Sequence, residues 1–431
     1  MKKRMYKIMA LAMTAAMVVP MAAQTTAFAA DDKEITYWNI AVESPDKDIV
    51  TAAVDKFNKE TKSGYTVNQV AIQNDTYKEK LVIAMSSGEC PDMYSSWSGG
   101  PMYEYIDSGF AQPIDDLLDQ SDIKDKLLDA AIEQGSYNGH VYAIPYLNVS
   151  LAGIFYNKDM FKQYGLEEPK TLADLENICA TLKENGITPF ALANASKWTG
   201  SMYFMSLAAR YGGLEPFQNA VAGTGKFTDD CFIKAGEKIQ EWVKNGYFPD
   251  GVNSLSEDDG QAKQLMYQET AGMLLCGSWY TGTFQTDSEE FYQKIGWFPF
   301  PAIDDSDADP TIQIGTVGDQ FISFNCEGDK LAAAFECATD HLSDEVADIT
   351  YSNNKIVPVK DAGDHIKDPV VKEIFDAAQE ASSIQLWYDQ YLPASVTEVH
   401  KNCMTELFGL DKTPQEIGEE QDAAMQAALA E

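Results

Sequence analysis

The sequence predicts an α/β protein of two lobes, each a mainly parallel sheet with helices on both faces. About 400 residues follow position 29, more than one hydrophobic core normally supports. Strand-like and helix-like segments alternate along the chain, an order typical of parallel sheets covered by helices. Aromatic loops follow several of the predicted strands, and open α/β sheets bind ligands at the carboxyl ends of their strands.

The first 29 residues have the features of a secretory signal peptide. Four basic residues within 1–7 precede an apolar run over 8–23, and small residues at 27–29 provide a cleavage site before Ala30. An uncleaved anchor is the alternative, but the run is short for a membrane span of about 20 apolar residues. No cysteine precedes Cys90, so no lipid-anchoring cysteine follows the signal. We therefore expect an exported protein, extracellular or periplasmic.

Strands are predicted where short apolar runs rich in β-branched and aromatic residues are bounded by turn residues. Pro145 ends one of them, since proline cannot donate to a strand ladder. In chain order the predicted strands cover 35–38, 65–70, 92–94, 139–145, 151–156, 271–276 and 295–298, with a return to the first lobe over 311–325.

Helices are predicted between and after these strands. Thr171 caps one of them, because its hydroxyl accepts a hydrogen bond from an amide of the first turn. Trp242 shares an apolar helix face with Ile239 and Val243 and is expected in the core. In chain order the predicted helices cover 48–59, 76–87, 103–108, 114–118, 124–131, 157–164, 172–184 and a block over 201–245, with further helices toward the C-terminus.

The composition favours a sugar as the ligand. The chain has 7 tryptophans and 21 tyrosines, and Arg210 is its one arginine after position 29. Pyranose rings pack on aromatic faces and pair their hydroxyls with short polar side chains, whereas carboxylate and phosphate ligands favour arginine. The 67 acidic residues against 32 basic ones disfavour nucleic acid and anionic lipid, but they leave room for a cationic ligand.

Motifs of catalysis and of cofactor binding are missing from the sequence. It has no Gly-x-Ser-x-Gly, no His-Glu-x-x-His and no phosphate loop, and its 4 histidines lack metal-ligand spacing. We therefore expect no cofactor and no metal. The 7 cysteines form no Cys-x-x-Cys pair and are expected mainly as buried apolar residues, with Cys326 and Cys337 as the one candidate disulfide.

Several segments occur in an order that resembles a known family. They are Glu34-Ile35-Thr36-Tyr37-Trp38, Ser87-Gly88-Glu89-Cys90-Pro91-Asp92, Tyr142-Ala143-Ile144-Pro145, Phe155-Tyr156-Asn157-Lys158-Asp159, Gly165-Leu166, Pro169-Lys170-Thr171 and the segment 273–279 with its Gly277-Ser278-Trp279. With these segments, nearly the whole chain after the signal resembles the sugar-binding extracellular solute-binding proteins of ABC importers, the family of maltose-binding protein.

The resemblance implies a periplasmic-binding-protein-like fold of type II, in which hinge crossovers join the two lobes. After the signal at 1–29, we expect the first lobe at 30–147 plus 312–343 and the second at 148–311 plus 344–431. The resemblance further implies a monomeric binding protein, not an enzyme, that holds a neutral oligosaccharide in the cleft. ABC transporter permease subunits would be its partners and would keep it at the cell surface.

Seven residues are expected to bind the ligand. Trp97 and Trp279 match loops in which the family carries stacking aromatics. The run 384–393 looks like that of members handling oligosaccharides, and Asn148 follows the first crossover. The full set is Trp97, Trp279, Trp387, Asp389, Trp198, Asn148 and Glu43.

Two other functions stay open at this point. A cationic solute such as a polyamine would exploit the acid surplus, and its binding would weaken in high salt. A secreted carbohydrate-active enzyme would need only two suitably placed carboxylates, which the number of acids does not exclude.

Overall fold

A computed structural model describes residues 33–430, and the predicted signal peptide at 1–29 lies outside them. Within the described residues, no helix combines the length and the apolar character that crossing a membrane requires.

All seven cysteines are free thiols, so the candidate bond between Cys326 and Cys337 is not formed. Six of the seven are buried, as expected of small apolar residues, and Cys90 is half-buried.

The strands lie close to where the sequence predicts them. Within residues 33–430 they are β1 (Glu34–Asn39), β2 (Thr66–Ala71), β3 (Met93–Ser96), β4 (Ser136–Tyr137), β5 (His140–Val141), β6 (Ala143–Pro145), β7 (Ser150–Asn157), β8 (Thr188–Phe190), β9 (Ala271–Gly277), β10 (Ile295–Pro299), β11 (Gln313–Thr316), β12 (Phe321–Phe324) and β13 (Ile384–Gln385). Three short strands, β4, β8 and β13, were not predicted.

The helices of the same region begin with α1 (Asp46–Glu60), α2 (Asn74–Ser87), α3 (Gly100–Asp107), α4 (Asp115–Asp119), α5 (Ile123–Lys126), α6 (Asp129–Gln134), α7 (Lys158–Tyr164), α8 (Leu172–Glu184), α9 (Trp198–Gly212) and α10 (Glu215–Val221). They continue with α11 (Asp230–Lys244), α12 (Gln261–Tyr267), α13 (Tyr280–Asp287), α14 (Glu289–Tyr292), α15 (Gly328–Asp340), α16 (Asp344–Ser352), α17 (Pro369–Glu380), α18 (Tyr388–Tyr391), α19 (Ala394–Gly409) and α20 (Pro414–Ala428). Short 3-10 turns lie at Val252–Ser254 and Ala362–Asp364. Thr171 caps α8 in a reciprocal capping box with Asp174, as its sequence predicts.

The first sheet has the strand order β2-β1-β3-β12-β6. Strands β2 and β3 run parallel to β1, whereas β12 runs antiparallel to β3 and β6. Every second residue of β1 is buried, so Ile35 and Tyr37 enter a core that also contains Phe57 of α1 and Phe324 of β12. Helices α15 and α16 pack on α1 and extend this core.

The second sheet has the order β13-β11-β7-β9-β8, with β10 paired to β7. Strand β7 is buried along its whole length and runs antiparallel to β9, β10 and β11. In each sheet a single strand runs against the others, β12 in the first and β7 in the second, so both sheets are mainly parallel in strand direction, as predicted. Trp242 is buried in the core beside this sheet, as expected, and Trp297 of β10 is buried in the same core.

The chain passes between the two sheets three times within residues 33–430. The passages lie between β6 and β7, between β11 and β12, and after α16. The predicted boundaries grouped 312–316 with the first sheet and 344–352 with the second. The structure instead pairs β11 with β7 and packs α16 on α1, because Ile314 and Val346 enter those respective cores. The division into two lobes stays a proposal that these two cores support.

Candidate functional site

A cavity of about 490 Å³ lies between the two sheets and is lined by loops from both. Strand ends supply much of its wall, as open α/β sheets generally do. Six of the seven predicted ligand residues line it, namely Glu43, Trp97, Trp198, Trp279, Trp387 and Asp389. The seventh, Asn148, does not belong to the lining.

Three tryptophans form a continuous aromatic wall on the side of the second sheet. The ring centroids of Trp198 and Trp279 are 6.0 Å apart at 61°, and those of Trp279 and Trp387 are 5.8 Å apart at 66°. Both contacts have the edge-to-face geometry that aromatic pairs prefer. Trp279 is therefore the middle ring, and each neighbour restricts its orientation.

The end of β9 fixes the position of Trp279. A Cβ atom on Gly277 would lie 2.0 Å from the Trp279 ring, so the ring occupies space that any other residue would fill. Ser278 anchors the turn, since its hydroxyl donates to the carbonyl of Val149 at 3.1 Å and accepts from the amide of Leu151 at 3.3 Å. The loop that carries the ring is thus tied to β7.

The start of α9 fixes Trp198. Lys197 has a φ of 67°, a left-handed value that a residue with a Cβ seldom adopts. The side chain of Asn194 accepts a hydrogen bond from the amide of Gly200 at 2.9 Å and so satisfies the first turn of the helix. The indole Nε1 of Trp198 is buried and has no hydrogen-bond acceptor within the protein.

Trp97 enters the cavity from the first sheet, directly after β3. Its ring contacts Tyr77 of α2 edge-to-face at 6.0 Å, and the Nζ atom of Lys78 lies 4.8 Å from its centroid. Trp97 is half-buried, as are Trp198 and Trp279, so part of each ring is open to a ligand. Trp387 is only 2% exposed and mainly supports Trp279 from behind.

Carboxylates dominate the polar part of the lining. Seven carboxylates line the cavity, against the two lysines Lys78 and Lys263: they are Glu43, Asp46, Glu257, Asp258, Asp259, Asp319 and Asp389. Carboxylate oxygens accept hydrogen bonds from hydroxyl groups and also attract cations. The lining can therefore pair with several sugar hydroxyls or with a cationic group.

Two of these carboxyl groups titrate near neutrality. Burial raises the pKa of Glu257 to about 7, although a hydrogen bond from the Tyr280 hydroxyl opposes the shift. Burial likewise raises the pKa of Asp319 to about 7, against the attraction of Lys355. Each group is half-buried, so solvent screens part of this effect.

The loop 256–260 is a part of the site that the sequence did not reveal. It contributes Glu257, Asp258, Asp259 and Gly260 to the lining, although it follows a 3-10 turn and no strand. The single sequence signal was the run Glu257-Asp258-Asp259, which does not stand out in a chain with 67 acidic residues.

Asn148 bonds the chain segments that pass between the two sheets to one another and does not line the cavity. It is 1% exposed, its Oδ1 accepts from the amide of Ile356 at 2.8 Å, and its Nδ2 donates to Ser278 Oγ at 3.3 Å. Its carbonyl accepts from the amide of Asp319 at 2.7 Å. Every polar group of the side chain is thus engaged within the protein, which corrects the expectation that it faces the ligand.

One group of possible metal ligands occurs among the described residues, outside the cavity. It consists of Cys403, Glu406 and Glu420. Lys412 already pairs with both carboxylates, and burial raises the pKa of the Cys403 thiol to about 12. The group therefore forms a closed ion-pair cluster with a protonated thiol, which is a poor metal ligand.

Known proteins resemble this chain in sequence. A family model described as bacterial extracellular solute-binding protein matches residues 41–339. An uncharacterised ABC transporter extracellular-binding protein of Pyrococcus horikoshii is 32% identical over 228 residues, covering 52% of this chain and 50% of the relative. The xylose/arabinose-binding protein of Haloferax volcanii is 22% identical over 259 residues, covering 58% and 55%. The chain thus spans about half the length of these curated relatives.

Solved structures resemble the fold over most of the chain. One, from work on xylan utilisation by the thermophilic bacterium Caldanaerobius polysaccharolyticus, has a TM-score of 0.83 at 28% identity and covers 90% of this chain and 99% of that one. A chitin oligosaccharide binding protein has a TM-score of 0.81 at 21% identity, with coverages of 91% and 98%. These likenesses confirm the predicted periplasmic-binding-protein-like fold of type II. With the family model matching 299 of its 431 residues, from 41 to 339, the chain belongs to the bacterial extracellular solute-binding proteins.

Proposed function

We propose that the protein is the extracytoplasmic receptor of an ABC importer and binds a neutral oligosaccharide between its two lobes. The observation that carries the proposal is the wall of Trp198, Trp279 and Trp387 in one cavity with Trp97 and with carboxylates. Aromatic faces suit the C–H faces of sugar rings, and carboxylates suit their hydroxyl groups. A relative named as a xylose/arabinose-binding protein and a structure named as a chitin oligosaccharide binding protein support a sugar as the ligand.

Binding would work by closure of the lobes around the ligand. Trp97 belongs to the first sheet and Trp279 to the second, so a ligand that touches both makes its full set of contacts only in the closed form. Such a ligand shifts the population toward closure by the free energy of the extra contacts. The closed monomer is then the form that permease subunits at the membrane would recognise.

A cationic solute such as a polyamine is the second candidate, favoured by the ratio of seven carboxylates to two lysines in the lining. Several of these charges are already compensated within the protein. Asp46 pairs with the buried Lys355 at 2.5 Å, and Lys263 pairs with Asp287 at 2.8 Å. Because burial also raises the pKa of Glu257 to about 7, the cavity is less anionic than the count suggests.

A carbohydrate-active enzyme is the third candidate, since carboxylates with different pKa values can serve as acid and base. A hydrogen-bonded serine and histidine elsewhere in the protein do not support an enzymatic function. Ser201 and His400 are 2.6 Å apart and His400 and Gln421 are 2.7 Å apart, but all three residues are fully buried and outside the cavity lining. Release of reducing sugar from an oligosaccharide over hours would support the enzyme.

The deciding experiment is calorimetric titration of the chain from Ala30 onward with neutral di- to tetrasaccharides, with tryptophan fluorescence recorded in parallel. Saturable binding, insensitive to salt and weakened at least tenfold by Trp279→Ala, is the expected result. Trp242→Phe, in the core beside the second sheet, is the matched control and should leave the affinity unchanged. If no sugar binds and spermidine binds in a salt-sensitive manner, the proposal of a sugar ligand would be replaced by that of a cationic ligand.

A further inference from the structure

Two hydrogen bonds join Asp258 of the second lobe to the start of a helix in the first. The Oδ2 atom of Asp258 accepts from the backbone amide of Asp75 at 3.1 Å. The carbonyl of Asp258 also accepts from Nε2 of Gln73 at 3.4 Å. Gln73 immediately precedes α2, and Asp75 belongs to its first turn.

Helix α2 lacks a cap of its own. Its N-cap residue, Gln73, makes no side-chain bond to the first turn, so the capping acceptor comes from the opposite lobe. Amides in the first turn of a helix have no partner within the helix, and a carboxylate there also interacts favourably with the helix dipole. Asp258 therefore supplies what an N-cap residue normally provides.

The loop around Asp258 holds it in position. The amide of Asp259 donates to Ser256 Oγ at 3.1 Å, and the amide of Ser256 donates to Gln261 Oε1 at 2.6 Å. Gly260 ends the turn with a φ of 66°, which favours glycine. The carboxylate is thus presented by a tight turn and not by a loose segment.

Contacts at other points of the cavity rim also join the lobes. Lys263 lies 3.9 Å from Glu43 while it pairs with Asp287. At another point, a Cβ on Gly99 would lie 2.1 Å from the carbonyl oxygen of Gln390, so the start of α3 touches the backbone of α18. Residues of the two lobes are therefore in contact at several points around the cavity.

We propose that Asp258 is a positioning residue that holds the cleft closed by capping α2 across it. Opening the cleft removes the cap, so closure and the first turn of α2 stabilise each other. Because α2 carries Tyr77 and Lys78, which contact Trp97, the cap also fixes the aromatic ring of the first lobe. The effect on ligand affinity rests on the proposed function, whereas the effect on the width of the cleft does not.

The test measures the width of the cleft without ligand and the affinity separately. Spin labels at Lys59→Cys on α1 and Glu184→Cys on α8, in a Cys90→Ser background, report the distance between the lobes. Asp258→Ala should reduce the ratio of closed to open molecules by about tenfold, the usual effect of a lost cap. The apparent affinity for an oligosaccharide should fall with the closed fraction.

Two further variants separate this role from others. Asp258→Asn should keep the closed population, because its amide oxygen still accepts from the amide of Asp75. Asp368→Ala removes the cap of α17, which accepts from the amides of Val370 and Val371, and should lower stability without opening the cleft.

Three outcomes would overturn the proposal. They are an unchanged distance distribution in Asp258→Ala, no closed molecules in the ligand-free parent, or equal losses of affinity in Asp258→Asn and Asp258→Ala at unchanged width. The last would assign Asp258 to the ligand. Absence of sugar binding in every variant would contradict the proposed function and leave the distance result to decide on the cap.

Discussion

Gly277 and Trp279 share a space in which a Cβ atom on the glycine would lie 2.0 Å from the indole ring. The last residue of β9 therefore determines where the central ring of the aromatic wall can lie. The absence of a side chain at Gly277 makes room for the Trp279 ring at the cavity. It does not stabilise the strand, because a glycine inside a strand generally weakens that strand.

Replacing Gly277 with alanine should displace the Trp279 ring and weaken oligosaccharide binding at least tenfold. Titration calorimetry measures the affinity, and circular dichroism checks the fold. Gly153→Ala is a matched control, because its Cβ would lie 2.2 Å from the core residue Trp297 in the same sheet. Gly153→Ala should lower the stability of the protein with little change in its affinity for the oligosaccharide. Equal losses of affinity in both variants would show that Gly277→Ala acts by disturbing the sheet in general.

The three rings of the wall should contribute to binding as a unit. Because Trp279 contacts both Trp198 and Trp387, a double-mutant cycle of Trp279→Ala with Trp198→Ala should give a coupling of about 0.5–1.5 kcal/mol in binding. Trp97, which packs on Tyr77, supplies the comparison pair, and its effect should add to that of Trp198. Additive losses within the wall would show that the rings act independently.

Asn148→Ala should lower the free energy of unfolding by about 1–3 kcal/mol, since the buried amide of Ile356 loses its acceptor. Urea unfolding measures this change. A ligand contact would behave differently, with an unchanged free energy of unfolding and a selective loss of affinity, and that result would return Asn148 to the binding site.

The stability of the ligand-free protein should depend on Glu257 between about pH 4.5 and 7. Its pKa is raised from 4.5 to about 7, so the folded protein binds more protons than the unfolded chain in this window. The free energy of unfolding contributed by Glu257 therefore falls as the pH rises through it. Urea unfolding of Glu257→Gln should show a smaller fall than the parent.

Tyr280→Phe provides the complementary variant, because its hydroxyl favours the ionised form of Glu257. Its loss should raise the pKa further and move the end of the window to higher pH. Parallel pH profiles of the parent and Glu257→Gln would contradict the assignment.

The sequence was sufficient to predict the tryptophans that line the cavity. Trp97 and Trp279 follow strands directly, and the carboxyl ends of strands are where an α/β sheet binds its ligands. Their side chains are large, apolar and few, so each one is informative. The pairing of β11 with β7 could not be predicted from the sequence, because the residues of a short apolar strand do not indicate which sheet it joins.

The polar part of the site was less accessible to sequence reasoning. Asp258 differs from other acidic residues only in its contact with Asp75 across the cavity. The two residues are 183 positions apart, so the local sequence around either one does not indicate the contact. Asn148 shows the reverse case. A polar residue after a crossover strand has the same appearance in sequence whether it meets a ligand or a neighbouring segment.

The meeting of all three passages near Asn148 has a mechanical consequence. Two rigid bodies joined by one tether can swivel and twist freely, but three tethers bonded side by side restrict them to bending about one axis. The amides of Asp319 and Ile356 bind the second and the third passage, respectively, to Asn148 of the first. In the proposed closure, the tryptophan wall and Trp97 would approach each other along one arc, so that a ligand would meet the same geometry each time.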